Sequence, residues 1–301
     1  MGLCCLSSST PGFIPMVLGA LLVGFSIYYF IRRHGLYLQK TNYVLKGDGA
    51  WEEVTLYKVQ KEAHNVKRFI FKLPEDMTLG LPLCGNILTK FVTEKGYNVV
   101  RPYTPISDIH AKGSFELCIK RYPDGKMGTH MHSLKPGDKL SIKGPIKKWP
   151  WKPNQFKEIT LLGAGSGTTP LYQLASHVVK NRKDKTKVNV YYGNKTVGDI
   201  LLKKEWKELE EQHPGQINVQ FFVNEVSGEG KDKFNGHVGF ITKDYIKNHA
   251  AGPDQKTHIF ICGPSGFMKA FSGEKSNSKE QGPLTGILKE LGYSADQVFK
   301  Y

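Results

Sequence analysis

The stretch from Glu158 to Lys180 constrains this chain most. A buried-type strand, Glu158 to Leu162, runs into Gly163-Ala164-Gly165-Ser166-Gly167-Thr168-Thr169-Pro170, and a helical pattern follows from Pro170 to Lys180. Glycines let backbone amides approach an anion, and a helix start adds partial positive charge. Pro170 suits a first helical turn. Thr168 stands where the dinucleotide fingerprint G-x-G-x-x-G has its last glycine. By itself the loop is a phosphate cradle of another kind or a tight strand-to-helix turn.

What surrounds the loop sets the fold class. Strand patterns at Lys187 to Tyr192, Ile217 to Val223 and His258 to Cys262 alternate with helical ones at Ile200 to Glu211, near Tyr245 and after Pro264. Strands alternating with helices predict a parallel sheet with helices on both faces and ligands at the strand C-termini. Before Pro153 the pattern differs. Glu53 to Tyr57, Val66 to Leu73, Ile87 to Thr93 and Ser114 to Lys120 read as short strands separated by turns, which predicts an antiparallel β-barrel. The expected organisation is residues 1–34 as an anchor, 35–50 as a linker, 51–153 as the barrel domain and 154–301 as the α/β domain.

The barrel half contains Arg101-Pro102-Tyr103-Thr104-Pro105. Its prolines hold it extended and remove donors, so it is no ordinary central strand. A cation for a phosphate, a flat ring to stack and a hydroxyl to bond a ring nitrogen suit a flavin nucleotide. An edge strand blocked by prolines is the plainer reading. Gly125-Lys126-Met127-Gly128-Thr129 precedes an apparent helix turn, where Lys126 and exposed amides suit a pyrophosphate.

Two loops sit where the second sheet would place a ligand. Asn194-Lys195-Thr196 with Asp199 follows the second strand. A carboxylate there accepts from ribose hydroxyls and repels a 2′-phosphate, or it caps a helix. Cys262-Gly263-Pro264 follows the late strand, where a thiol can pack against a nicotinamide ring or simply fill a strand end. His130 and His132 look accidental, and His213-Pro214-Gly215 reads as a turn.

The formal charge of +15 suits an acidic partner, an anionic membrane surface or nucleic acid. No run of five or six basic residues occurs and no zinc-finger spacing exists, so nucleic acid is not expected. The five cysteines, Cys4, Cys5, Cys84, Cys118 and Cys262, form no C-x-x-C pair, which leaves no usual iron–sulfur or zinc framework and fits a reducing compartment. No metal site is expected.

Phe13 to Ile31 carries no charge, and as a helix it would reach roughly 28 Å, about the hydrocarbon thickness of a bilayer. Tyr28 and Tyr29 stand near one end and Arg32-Arg33-His34 follow. Positive charge behind the apolar stretch predicts a single-pass signal anchor with the downstream chain in the cytosol. Gly2 lacks the Ser or Thr at the sixth position that myristoylation wants; acylation of Cys4 or Cys5 stays open.

The Arg101 to Thr104 run, Gly125-Lys126-Met127, Lys143-Gly144-Pro145, the Gly163 to Pro170 loop and Cys262-Gly263-Pro264 occur in the order of the ferredoxin–NADP reductase superfamily. Within it, the chain resembles the NADH–cytochrome b5 reductases, from about Glu52 to Tyr301. The insertion from Ser272 to Gly282 and the ending from Gly292 to Tyr301 resemble the fungal mitochondrial type. The resemblance implies FAD held by Arg101, Pro102, Tyr103, Thr104, Lys120, Gly125, Lys126 and Met127. The family has Ser or Thr where Gly128 stands, and Thr129 is the expected substitute. The resemblance implies NADH held by Gly163, Gly165, Ser166, Gly167, Thr169, Asp199, Gly263 and Pro264, with Thr104 and Cys262 at the hydride path. It implies a monomer passing electrons from NADH through FAD to cytochrome b5, an acidic haem protein. It places the chain in the mitochondrial outer membrane, with the endoplasmic reticulum and a processed intermembrane-space form as alternatives. Rival readings are a flavin reductase for a quinone or oxygenase system and a cofactor-free tether on a degenerate reductase fold.

Overall fold

Alternating apolar residues build the first sheet. In the computed structural model of the chain, described over residues 42–301 except 229, 230, 254, 255 and 278, and at Ser26 and Tyr28, it comprises six strands. They are β1 (Glu52–Ala63), β2 (Val66–Lys72), β3 (Asn86–Val92), β4 (Asn98–Tyr103), β5 (Ser114–Lys120) and β6 (Lys139–Ile146). Their order is β4-β3-β6-β1-β2-β5, and every ladder is antiparallel. The expected barrel is therefore an antiparallel sheet with β4 and β5 at its ends; hydrogen bonding does not close it among the described residues. Phe69, Phe71, Phe115, Leu117 and Ile119 point to one buried core. Phe71 and Phe115 face each other across β2 and β5 with ring centroids 5.3 Å apart, a pair worth roughly 0.5–1.5 kcal/mol beyond area burial. Helix α1 (Lys126–Ser133) covers this core with Met127 and Met131.

The second sheet is parallel throughout. Its strands are β7 (Glu158–Ala164), β8 (Lys187–Thr196), β9 (Ile217–Glu225), β10 (His237–Val238), β11 (Thr257–Cys262) and β12 (Val298–Lys300), in the order β10-β9-β8-β7-β11-β12. Successive residues face opposite sides, so Ile159 and Leu161 of β7 join one core while Leu162 joins another. Helices α2 (Thr168–Lys180) and α3 (Lys203–Gln212) cover the first side. Helices α4 (Lys243–His249), α5 (Ser265–Phe271) and α6 (Gly286–Glu290) cover the second. The chain runs from β7 outward to β10, then returns to β11 on the other flank of β7. That switch point lies between β7 and β11, where open α/β sheets leave a crevice at the strand C-termini.

Three local expectations change. Asn194, Lys195 and Thr196 belong to β8 rather than to a loop, because Thr196 still pairs with Glu225. Helix α1 begins at Lys126 itself, so Lys126 to Thr129 are helical. Helix α3 begins at Lys203, not Ile200, because Leu202 is left-handed (φ 55°) and its N–H donates to Glu62 Oε1 at 2.8 Å. Glu62 is on β1 and also pairs with Arg68, which reaches Glu205 on α3. The two sheets are thus joined by charge as well as by a shared core in which Val66 and Cys118 pack with Leu201 and Leu202.

Contacts group Tyr43–Tyr301 into one unit. The apolar stretch Phe13 to Ile31 lies outside the described residues apart from Ser26 and Tyr28. Among the described residues no helix is long and apolar enough to cross a membrane.

Candidate functional site

Arg101, Pro102 and Tyr103 end β4, the edge strand beside β3, and Thr104 follows it. An edge tolerates Pro102, which has no N–H to give a second neighbour. Thr89, fully buried on β3, donates its hydroxyl to the Arg101 carbonyl at 3.1 Å and fixes the backbone there. The Arg101 guanidinium is exposed and its Nη1 donates only to the Val100 carbonyl. Burial pushes the Tyr103 phenol up to about 12, with the Arg101 charge pulling the other way, so it is a neutral donor at neutral pH.

These residues open onto a cleft of about 770 Å³ that also reaches Gly125, Lys126, Ser166, Thr169, Gly263 and Cys262. Gly125 is the N-cap of α1 and offers no side-chain cap, so the first amides of that helix are free for an anion. Asn86 lines the cleft, and its Oδ1 is buried without a hydrogen-bond partner. A nucleotide with donors fits such an orphan acceptor, and Arg101 and Lys126 fit its phosphates.

Across the cleft is the glycine loop. Gly165 takes a left-handed conformation (φ 53°), which glycine adopts without strain. Gly167 is required by proximity: a Cβ there would lie 2.2 Å from the Cys262 carbonyl oxygen. The strands explain this, since Gly163 of β7 pairs with Cys262 of β11 and brings both loops to one point. Gly163 lines neither cavity; it lets Leu171 of α2 pack on β7. Two buried side chains hold the loop. Tyr192 donates its hydroxyl to the Gly165 carbonyl at 2.8 Å, and Trp206 donates Nε1–H to Thr168 Oγ1 at 3.0 Å.

A second recess of about 400 Å³ is lined by Gly165, Asn194, Asp199, Phe222, Phe240 and Phe267, among others. Pro264, Lys120 and Tyr122 line both cavities, so the two share a wall. Asn194 is buried there with neither side-chain polar atom partnered. Asp199 accepts from Thr196 N at 3.2 Å and Thr196 Oγ1 at 2.8 Å, closing a capping box on a 3₁₀ turn. Burial works against its charge, but the Thr196 bonds and the Lys120 ammonium hold its carboxyl below the usual range. Glycines, apolar rings and an ionised carboxylate fit the adenosine end of a nicotinamide nucleotide.

Two more expected residues, besides Gly163, are placed differently. Thr129 is exposed and lines a neighbouring hollow with Phe91 and His130, not the main cleft. At Gly128 a Cβ would meet the Lys120 carbonyl at 3.1 Å, which leaves little room for a side chain. Lys120 lines the cleft, but its ammonium reaches Asp199 at 3.4 Å and serves the second recess too. Cys262 does line the cleft, and burial pushes its thiol up to about 12, so it stays a neutral thiol. Sequence reading missed Asn86, Lys148, Lys275 and Tyr301 in the cleft. None belongs to a local pattern; only the fold brings them together.

An antiparallel sheet holding one nucleotide cradle, followed by a parallel α/β sheet holding another, with both opening on one cleft, defines a two-domain flavin- and nicotinamide-nucleotide oxidoreductase. Family models agree: the oxidoreductase FAD-binding domain matches residues 53–151 and the oxidoreductase NAD-binding domain residues 161–273. NADH–cytochrome b5 reductase 2 of Saccharomyces cerevisiae is 51% identical over 300 residues, 98% of this chain and 99% of that protein. Its namesake in Candida glabrata is 49% identical over 293 residues, 97% of each. The crystal structure of the cytochrome b5 reductase domain of Ulva prolifera nitrate reductase superposes with a TM-score of 0.72 at 25% identity, covering 86% of this chain and 99% of that one. The chain belongs to the NADH–cytochrome b5 reductase family. Its cofactors are FAD and NADH.

Proposed function

We propose that this protein oxidises NADH and passes the electrons singly to cytochrome b5, with residues 51–153 as the flavin half and 154–301 as the nucleotide half. One observation carries the reading. Pro264 lines the nucleotide recess and the flavin cleft alike, two residues after Cys262, so a nucleotide seated on the Gly165 loop meets the flavin cleft there. Bound FAD supplies the chemistry, taking two electrons together and releasing them one at a time.

The chain's own residues position and shield. Arg101, Lys126 and the α1 amides hold the FAD phosphates; Tyr103 and Thr104 offer neutral donors along the ring. The Gly165 to Gly167 loop and the start of α2 cradle the NADH pyrophosphate, and Asp199 receives ribose hydroxyls. Cys262, a neutral thiol, packs where the nicotinamide arrives. No general base is needed, because alignment of the two rings is the main requirement. The excess of positive charge favours an acidic acceptor.

The same reading makes Phe13 to Ile31 a membrane anchor that leaves a monomer facing the cytosol from the mitochondrial outer membrane. The charge-free stretch and the basic residues behind it support the anchor and its orientation, and the resemblance to the fungal mitochondrial type supports the choice of membrane.

The test is direct. Purified protein should show flavin absorption, oxidise NADH and reduce cytochrome b5 as well as ferricyanide. Reduction of ferricyanide with none of cytochrome b5 would move the acceptor to another class, and protein without flavin would favour the degenerate tether. Fractionation finding the chain only in the endoplasmic reticulum would reject the outer-membrane placement.

A further inference from the structure

The FAD and NADH pyrophosphates account for two anion sites, and each has its cradle: Arg101 with Lys126, and the Gly165 loop. A third group of cations remains. Lys148, just beyond β6, and Lys275, in the segment between α5 and α6, line the same cleft beside Cys262 and Tyr301. Both are half-buried, and neither has a carboxylate partner among the described ion pairs. Burial pulls the Lys275 ammonium below its ordinary value, and the charges of Lys148 and Lys300 push the same way. Burial does the same to Lys148.

Lys275 also lines a recess of about 440 Å³ with Cys262, Ser265, Met268, Glu274 and Tyr301, which includes neither Arg101, Lys126 nor Gly165. Its position is held by the fold. Lys300 is 1% exposed, and its Nζ donates to the Glu274 carbonyl at 3.3 Å and the Pro283 carbonyl at 2.8 Å, spanning the segment that carries Lys275. Gln281 from the same segment exchanges two hydrogen bonds with the Lys300 backbone. Glu274, the one acidic side chain on the recess, is already engaged by Ser265 and Lys269. Desolvated cations held in place without a counter-charge attract an anion.

We propose that Lys148 and Lys275 form a third anion site, at a mouth of the flavin cleft distinct from the nucleotide recess, which takes a carboxylate of the electron acceptor. This rests on the reductase reading above and says where on that site the acceptor engages. Ammonium groups beside Cys262 and Tyr301 would hold such a carboxylate near the cleft while NADH occupies the other recess. The Tyr301 phenol and the Cys262 thiol, both kept neutral by burial, do not compete for it.

The experiment uses FAD-loaded full chain with Lys275→Gln, Lys148→Gln and Lys275→Arg. Three probes separate the possibilities: ferricyanide, an anionic one-electron acceptor of which two are reduced per NADH; hexaammineruthenium(III), a cationic one; and hexacyanocobaltate(III), a redox-inert anion whose binding is read by calorimetry. Each Gln variant should raise the ratio of KM for ferricyanide to KM for hexaammineruthenium(III) at least about fivefold and weaken hexacyanocobaltate(III) binding similarly. Lys275→Arg should restore both. Rising salt should erase the difference between wild type and variants. An unchanged ratio, an equal rise for both acceptors, or loss of FAD in step with loss of anion affinity would each overturn the proposal. If wild type oxidises no NADH with any acceptor, the reductase reading fails instead, and calorimetry alone then decides whether the anion site exists.

Discussion

The Lys120 ammonium, at the end of the flavin-side sheet, lies 3.4 Å from Asp199 Oδ1 on the 3₁₀ turn that follows β8 of the nucleotide-side sheet. Asp199 thereby divides its oxygens. Oδ2 accepts from Thr196, and Oδ1 faces Lys120 and His64, whose Nδ1 is 3.9 Å away. The cap and the site are served by one carboxylate. Because its folded pKa is depressed, its ionised form stabilises the fold above the ordinary carboxylate range. That contribution is lost as pH falls through the lower folded value.

Asp199→Asn keeps an acceptor for Thr196 but removes the charge. The ratio of kcat/KM for NADH to that for NADPH should fall about tenfold, which is ~1.4 kcal/mol, since a 2′-phosphate no longer meets a carboxylate. Thermal denaturation should show a small loss of stability as well. A lower Tm with the ratio unchanged would leave Asp199 as a cap only.

Gly167→Ala tests the convergence of the two loops. The new Cβ would lie 2.2 Å from the Cys262 carbonyl oxygen and 2.8 Å from Gly263 N, both backbone atoms that cannot swing aside. The loop and β11 must separate, so affinity for NAD⁺ by calorimetry should fall more than about tenfold, with a lower Tm. Gly165→Ala differs: it meets nothing within 4 Å, and its cost of roughly 1–2 kcal/mol comes from a left-handed backbone alone. Equal NAD⁺ affinity in Gly167→Ala and wild type would refute the close approach.

Thr168→Val removes the acceptor for the Trp206 indole N–H, which is fully buried. Leaving that donor unpaired should cost about 1–3 kcal/mol in urea unfolding, while Thr168→Ser should cost less because it keeps the hydroxyl. If Thr168→Val unfolds like wild type while Thr168→Ser is the less stable, the methyl and not the hydrogen bond governs the site.

Thr168 also shows what a sequence can and cannot reveal. As a departure from G-x-G-x-x-G it was visible in the string; its reason, a tryptophan 38 residues later, was not. The Arg101 to Thr104 run and the Gly163 to Pro170 loop were legible because their chemistry is local: prolines, glycines and a helix start act on their own neighbours. Alternation in Phe69 and Phe71 and the strand–helix rhythm after Pro153 were legible for the same reason. Long-range bonds were not. Glu62 sets the start of α3 from 140 residues away, and Lys120 finds Asp199 across 79. Thr129 lines a neighbouring hollow and not the cleft because on a helix adjacent residues point about 100° apart, so the neighbour of Gly128 looks elsewhere. Lys148 and Lys275 carry no motif; only the closing of β6, β11 and the α5–α6 segment around one cleft puts them together.

His258 offers a test of the second domain's packing. It is 2% exposed on β11, with ring centroids 4.6 Å from Trp149, 4.8 Å from Phe156 and 4.8 Å from Phe260, and its Nε2 has no hydrogen-bond partner. Burial among these rings pushes its pKa down to about 4. An unfolded histidine titrates near 6.5, so between those values the unfolded chain binds a proton that the folded chain refuses. Stability must therefore fall as pH drops from about 6.5 toward 4, by about 2 kcal/mol between pH 7 and pH 5 from this residue. His130, His132 and His177 are depressed by burial as well and add the same sign. The informative quantity is thus the difference between wild type and His258→Phe, measured by urea unfolding at both pH values. Phenylalanine fills the same aromatic pocket without a proton to gain, so the variant should lose about 2 kcal/mol less than wild type on going to pH 5. Parallel losses in the two proteins would mean that His258 finds a partner for its proton in the folded state and is not held neutral by the cluster.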